Sequence, residues 1–262
     1  MTALYDAFAE AVRAHRPVAL ATVVEGPSIG AKLLVEEDGS AQGGLGDPDL
    51  DRVVARDAVG ALAAGANAMR HYGEHGEQRV DTTVSVFLEA FAPPPQMLIF
   101  GAVDFTAALA RLAKVLGYRV TVCDAREVFA TRQRFPMADE VVVDWPNRLL
   151  DRVGATLSAR DAVCVLTHDA KFDVPAITSA LATDVGYLGA MGSRRTHEDR
   201  LKRLREVGVD EAALTRVRAP IGLDLGARTP EETAVAICAE IIALRTGRES
   251  VRPLTGGTGA IH

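Results

Sequence analysis

The chain reads as an α/β protein in which a smaller α/β domain precedes a mostly parallel sheet covered by helices on both faces. Three observations predict this. Prolines at 93, 94 and 95 interrupt the chain, because three in a row suit neither a helix nor an interior strand. Beyond them, short apolar runs alternate with helical segments, the rhythm of a parallel sheet. Before them, apolar runs are punctuated by glycine turns and one long helical pattern.

In the first domain, residues 1–92, Val18–Val24 and Lys32–Val35 read as strands, and Glu37-Asp38-Gly39-Ser40 as a hairpin turn. Asp47 and Pro48 fit N-cap and N1 of a helix running to about Met69, with a stripe of Leu50, Val53, Val54, Ala58, Leu62 and Met69. A strand at Thr83–Leu88 closes this domain. Residues 93–96 form a stiff linker. The second domain, residues 97–248, opens with the strand Met97–Phe100, Gly101, a helix from Asp104 to Leu116 stopped by Gly117, and the strand Arg119–Cys123. Further strands fit Glu140–Val143, Ala162–Leu166 and Val185–Leu188. Thr229, Pro230 and Glu232 make an N-cap, N1 and capping-box start for a helix to about Arg245. The glycine-rich tail, 249–262, is expected to be flexible.

With 262 residues, 24% charged and 48% hydrophobic, the composition is that of a soluble globular protein. A net charge of -6 disfavours a bulk electrostatic grip on nucleic acid or an anionic membrane. No apolar run has the length of a membrane span, and no basic-then-apolar leader opens the chain. Cys123, Cys164 and Cys238 lie in apolar surroundings without ligand-like spacing, so buried thiols in a reducing cytoplasm are expected. Zinc-type spacing, HExxH, GxSxG, Walker A and EF-hand patterns do not occur.

Strand, glycine, helix, strand and then Asp124 outline a dinucleotide-binding first unit, so a Rossmann-like sheet is expected, with Gly101 and Asp124 as ligand candidates. The glycine turn departs from the fingerprint. Val103 stands where the backbone would approach a pyrophosphate, and Asp104 adds a negative charge that is expected to satisfy the helix-start N–H groups. Thr167, His168 and Asp169 follow a strand's carboxyl end. There His168 and Asp169 can serve proton transfer, or Thr167 or Asp169 can cap the next helix. Gly189, Gly192, Ser193, Arg194, Arg195 and His197 deliver a hydroxyl, two guanidiniums and an imidazole to a helix start, a combination suited to an anion. The bland alternative is a surface salt-bridge network with Glu198, Asp199 and Arg200. Asp224 and Arg228, in the glycine-bearing loop before the last helix, can reach the same sheet edge. In the first domain, Gly26–Lys32 and Gly43–Asp47 suit either a ligand or plain turns, and His71, Tyr72 and His75 follow the long helix.

The segments TRQRFP (Thr131–Pro136), LTHDAKFD (Leu166–Asp173), GYLGAMGSRRTHEDR (Gly186–Arg200) and PIGLDLGARTPEE (Pro220–Glu232) together resemble the XdhC/CoxI family of molybdenum-hydroxylase maturation proteins. The likeness reaches about Arg245, and Ala21–Val24, Gly30–Lys32 and Asp38-Gly39 correspond in order in the first domain. It implies the molybdenum cofactor, molybdopterin, as ligand, and protection or delivery to an apoenzyme of xanthine dehydrogenase or carbon monoxide dehydrogenase type. It also implies a cysteine desulfurase as sulfur donor, and docking leaves room for a homodimer. The pterin's terminal phosphate would suit Ser193–Arg195. Two departures stand out. The family's Gly-Gly-Cys-x-Glu segment is replaced by Gly43-Gly44-Leu45-Gly46-Asp47, and its GAGHVA-like turn by Gly101-Ala102-Val103-Asp104-Phe105-Thr106. The leading expectation is therefore a cofactor carrier rather than a turnover enzyme. An NAD(P)-dependent oxidoreductase and a nucleotide-responsive scaffold are the alternatives.

Overall fold

The structure is a computed structural model that describes residues 2–77, 83–167, 169–248 and 250–256. It divides into two compact units, Met1–Pro93 and Pro94–His262.

The first unit holds α1 (Thr2–Arg13), β1 (Val18–Glu25), β2 (Lys32–Glu36), β3 (Ala41–Gly44), α2 (Pro48–Ala64), β4 (Ala68–Tyr72) and β5 (Val84–Phe91). Its strands form one antiparallel sheet in the order β3-β2-β1-β5-β4. The apolar residues of β1 serve two faces. Ala19, Ala21 and Val23 pack under α2, whereas Val18 and Leu20 meet Ala11 and its neighbours on α1. Asp47 Oδ1 accepts the N–H groups of Asp49 (2.9 Å) and Leu50 (3.0 Å), the expected N-cap. The far end of that helix differs from expectation. Gly65 adopts φ +64° and ends α2, and Met69 lies in the edge strand β4. Met69 falls seven residues after Leu62, so the helical stripe runs on through a glycine stop in the sequence alone. Neither α1 nor β3 is among the expected elements, and the two glycines of Ala41–Gly44 carry little strand propensity.

In the second unit, β6 (Gln96–Phe100), β7 (Arg119–Cys123), β8 (Glu140–Val142), β9 (Ala162–Val165), β10 (Tyr187–Ala190) and β11 (Val217–Arg218) form a wholly parallel sheet ordered β11-β10-β9-β6-β7-β8. Pleating sends Met97, Ile99, Val120, Val122 and Cys164 against α3 (Asp104–Val115) and α8 (Pro230–Arg245). It sends Leu98, Phe100, Val163 and Val165 against α4 (Pro146–Val153), α5 (Ala170–Leu181) and α6 (Arg194–Glu206). A short α7 (Glu211–Leu214) precedes β11. The chain builds outward from β6 to β8, then returns past β6 to build β9, β10 and β11. Strand order therefore reverses between β6 and β9, where open α/β sheets place their ligands. β10 lies two residues later than expected, which puts Gly189 inside the strand.

The three cysteines are free and buried. Burial raises the Cys123 thiol to about 12 and that of Cys238 to about 11, so neither supplies much thiolate. Among the described residues, no helix is long and apolar enough to cross a membrane.

Two measurements test these local assignments. Thr229 Oγ1 accepts from Glu232 N at 3.1 Å, and Glu232 Oε2 accepts from Thr229 N at 3.1 Å, completing the capping box. Thr229→Ala is expected to cost the second unit about 1 kcal/mol, seen as a lower denaturant midpoint and faster amide exchange at Glu232. In the first unit, His75 Nδ1 lies 2.9 Å from Asp47 Oδ2, whose hydrogen bond holds the imidazole above its ordinary value. The stabilisation is whole below the unfolded value of 6.5 and is lost as pH rises through the raised folded value. An NMR titration of His75 is expected to show the raised midpoint, and Asp47→Asn to bring it back toward 6.5.

Candidate functional site

Gly101 leaves β6 at φ +107°, and a side chain there would come within 2.8 Å of the Thr167 backbone nitrogen. Only glycine lets the two strand ends meet this closely. Asp124, at the end of β7, is 4% exposed. Its Oδ2 accepts the Ala102 N–H (2.8 Å) and Arg126 Nη2–H (2.8 Å), while Oδ1 accepts Arg126 N–H and Nε–H, each at 2.9 Å. Burial alone would raise this carboxyl, but those donors outweigh it and hold the group below its ordinary value. The Val103 N–H meets Thr106 Oγ1 at 3.4 Å, and that hydroxyl donates to the Gly101 carbonyl. Two N–H groups of the turn are thus consumed internally. Asp104 does not do this work as expected. Val103 occupies the N-cap position, while the Asp104 side chain is 91% exposed and 3.8 Å from Arg134. A β-branched residue at the cap leaves Asp104 one position too late to reach back over the helix end.

The TRQRFP segment closes over this turn. Arg134 donates to the carbonyls of Ala102 (3.2 Å) and Phe129 (3.3 Å). Its guanidinium and that of Arg126 both lie over Phe129, at 5.5 and 4.6 Å from the ring centre. The space left among Gly101, Asp124, Thr167 and Phe172 is about 10 Å³, room for about one water.

Beyond β9, Thr167 is buried and its Oγ1 accepts the Asp169 N–H at 3.2 Å. Asp169 caps α5 by accepting Lys171 N–H at 3.1 Å, and it pairs with Lys171 Nζ at 3.2 Å. The backbone bond comes first among the causes that hold Asp169 low. Of the two sequence readings, the capping one describes its geometry. His168 lies outside the described residues.

The β10–α6 turn is built differently. Gly192 turns at φ +141°, and Ser193 N-caps α6, its Oγ accepting the Thr196 N–H at 3.1 Å. The first turn of α6 holds no acidic residue. Arg194 and Arg195 are exposed, and among the described residues neither guanidinium reaches a carboxylate within ion-pair distance. Among the described residues, His197 Nδ1 is buried without a hydrogen-bond partner, and burial and then the charge of Arg200 push the imidazole below its ordinary value. Among the described residues, Arg194 and Arg195 make no ion pair with Glu198 or Asp199, and Arg200 does not join them at the surface. Instead Asp199 pairs with Lys202 at 3.3 Å, and Arg200 turns inward, 2% exposed. Its Nη2 donates to Asp173 Oδ2 (2.9 Å) and to the Met191 carbonyl (2.7 Å). The sequence signal for this is the inward spacing Arg200–Leu204 on α6, one helical turn apart. The pair ties the LTHDAKFD segment to the GSRRTHEDR segment.

The loop after β11 starts beside the same strand. Ile221 N–H donates to the Ala190 carbonyl at 3.1 Å, and Ile221 fills the space left by Gly189, which therefore serves packing. Glu240, unremarked in the sequence, accepts from Gly222 N–H (2.8 Å) and Tyr187 O–H (2.6 Å), fixing the loop to α8. Asp224 and Arg228 are exposed farther along. The structure thus brings Gly101, Asp124 and Thr167 together at the strand reversal and Gly192, Ser193 and His197 together at the β10 turn.

In the first unit, Leu45 follows Gly43-Gly44 and is 1% exposed in the core, its N–H bound to Asp51 Oδ1 at 2.7 Å. Gly43–Asp47 forms the end of β3 and the cap of α2. His71 and Tyr72 lie on β4, where His71 Nδ1 is 3.0 Å from Ser85 Oγ. Among the described residues, no group of three or more His, Cys, Asp or Glu is arranged to hold a metal ion.

Comparison with known proteins places these features in a family. Residues 97–241 match the XdhC Rossmann domain, and residues 11–73 match the XdhC and CoxI family. The chain is 28% identical over 244 residues to the uncharacterized protein YqeB of Escherichia coli (strain K12), covering 87% of this chain and 44% of that protein. It is 33% identical over 165 residues to a probable xanthine dehydrogenase subunit of Bacillus subtilis (strain 168), covering 63% and 47%. It is 28% identical over 173 residues to the molybdenum cofactor insertion chaperone PaoD of Escherichia coli (strain K12), covering 66% and 47%. The chain thus spans somewhat under half the length of these curated relatives. A solved structure titled as a xanthine dehydrogenase from Bacillus halodurans shares the fold, with a TM-score of 0.54 and 21% identity over 95% of this chain and 98% of that one. With the XdhC Rossmann domain matched over more than half its length, the chain belongs to the XdhC and CoxI family.

Proposed function

We propose that this chain is a molybdenum-cofactor binding and maturation factor that holds the pterin cofactor as cargo and delivers it to a molybdenum-hydroxylase apoenzyme. The observation that carries the proposal is the contrast between two turns on one sheet edge. The β6 turn spends its N–H groups on Asp124 and Thr106. The β10–α6 turn instead offers a helix N-terminus without first-turn acids, flanked by two exposed guanidiniums. Such a donor set fits a phosphate monoester such as the terminal phosphate of molybdopterin.

In this reading the first-turn N–H groups and Arg194 bind the phosphate, and Arg195 adds charge at the rim. Ser193 keeps the helix start in register through its cap. Asp224 and Arg228 lie on the loop after β11 as further polar contacts for the pterin. The three thiols are buried and Leu45 is a core residue, so recognition of the phosphate end is the part of the task these residues suit. A xanthine dehydrogenase or carbon monoxide dehydrogenase type enzyme is the recipient in this reading. A cysteine desulfurase supplies sulfur to the cofactor without a relay through these thiols, and a homodimer offers the client a two-fold surface. Free, buried thiols suit the cytoplasm.

The NAD(P) oxidoreductase reading draws on the strand order β8-β7-β6-β9-β10-β11, that of a dinucleotide fold. It would need Asp124 to meet a ribose and His168 and Asp169 to move a proton. Both carboxylates are already engaged, Asp124 by Ala102 and Arg126 and Asp169 as a helix cap, which weighs against it.

Anaerobic binding measurements on the full chain separate these readings. Molybdopterin is expected to bind stoichiometrically and NAD(P) not to bind. Charge-assisted hydrogen bonds are worth about 1.5–3 kcal/mol each, so Arg194→Ala/Arg195→Ala is expected to weaken molybdopterin binding at least about tenfold. An unchanged affinity would sink the phosphate assignment, and NAD(P) binding without pterin affinity would favour the oxidoreductase. A second test concerns the closed turn. Asp124→Asn replaces a charged acceptor of Ala102 and Arg126 in a 4%-exposed position. It is expected to destabilise the second unit by about 1–3 kcal/mol in denaturant titrations, with molybdopterin affinity retained in the folded fraction.

A further inference from the structure

Arg200 has two nitrogens to which the fold assigns no task. The residue is 2% exposed, and its Nη2 donates to Asp173 Oδ2 and to the Met191 carbonyl. Among the described residues, Nε and Nη1 have no hydrogen-bond partner and are buried, as is Nδ1 of His197 one turn earlier on α6. A buried guanidinium that leaves donors unserved is costly. The packing of α6 against the sheet, through Leu204, does not require it.

The guanidinium lies directly under the β10–α6 turn. Nη2 would be 3.6 Å from a carbon added at Gly192, and its carbonyl partner, Met191, begins that turn. Above it is the N-terminus of α6, free of acidic residues in its first turn. Donors therefore face the turn from two sides, from the helix start and from the interior. Gly192, at φ +141°, has no side chain to block rotation of the Met191–Gly192 peptide.

We infer that Arg200 is the inner wall of an oxyanion site at the Met191–Gly192–Ser193 turn, taking a phosphate monoester or a free tetrahedral oxyanion. The site rests on the phosphate-binding reading of this turn and extends it inward. The Met191 carbonyl offers the Nη1–Nη2 fork a single oxygen, whereas a tetrahedral oxyanion offers two, in the bidentate geometry that guanidinium prefers. Rotation at Gly192 swings the carbonyl aside. The oxyanion then bridges Arg200 below and the Arg194 and Arg195 N–H groups above, while Asp173 keeps the guanidinium in place.

The test reads Arg200 directly. In the full chain labelled with ¹⁵N, the arginine Nε–H resonance that disappears in Arg200→Lys is followed while inorganic phosphate, and separately molybdopterin, is titrated. The expected result is a shift of that resonance saturating with phosphate binding, and a phosphate Kd raised at least about tenfold in Arg200→Lys. A resonance unmoved at phosphate saturation overturns the inference. Should Arg200→Lys fail to fold, Gly192→Ala leaves every charge in place and restricts the turn. Its phosphate affinity is expected to fall, and an unchanged value overturns the inference. An Arg200 shift with phosphate, while molybdopterin neither binds nor competes, supports the oxyanion site and removes the cofactor reading. Molybdopterin binding with the Arg200 resonance unmoved does the reverse.

Discussion

The carboxyl edge of the parallel sheet depends on the contact of Gly101 with the backbone of Thr167. The strand order reverses there, and the two strand ends come together because position 101 has no side chain. That closeness leaves about 10 Å³ at the bottom of the crevice, while the pairing of β6 with β7 brings Asp124 within reach of the Ala102 N–H. A carboxylate buried to this degree needs donors, and it takes them from the turn and from Arg126. The β6 turn is thereby closed by side chains that follow β7, whereas the β10–α6 turn keeps a helix start with no acidic residue in its first turn.

At β10 the controlling interaction is ionic. Arg200 and Asp173 join α6 to α5 beneath the surface, and breaking such a buried pair by removing one member typically costs about 3–5 kcal/mol. The pair holds two chemically rich segments side by side while leaving Arg194 and Arg195 outside, exposed and, among the described residues, unpaired with carboxylates. The interior charge orders the scaffold, and the exterior charges remain available.

The sequence was most legible where a feature depends on neighbours three or four residues away. The caps at Asp47 and Thr229, the helix end at Gly117 and the inner strands β6 and β7 all follow from local hydrogen bonding or from short, mainly apolar runs. Periodicity misled where an apolar residue fell in helical register by chance, as Met69 did after Gly65. It was silent where glycines formed an edge strand, as in Ala41–Gly44. At the site, the exposed guanidiniums of Arg194 and Arg195 and the capping alternative for Asp169 were visible as residue types. The partners of Asp124, Arg134 and Glu240 were not, because each binds a group 18 to 32 residues distant in the chain.

By itself, the sequence determined the succession of elements, the proline break and the motifs that mark the family, because these are written in short-range patterns. Only the tertiary structure decided which charges face water and which are spent inside. Glu198, Asp199 and Arg200 are consecutive charged residues, yet Arg200 alone of the three is buried, because the path of α6 aims it at Asp173 and Met191. Asp124, likewise, stands at the spacing of a ribose-binding acid, but the pairing of β7 with β6 sets its carboxylate on the Ala102 N–H of the β6 turn. Burial and long-range hydrogen bonding set the role of each charge, and neither exists until the sheet has closed.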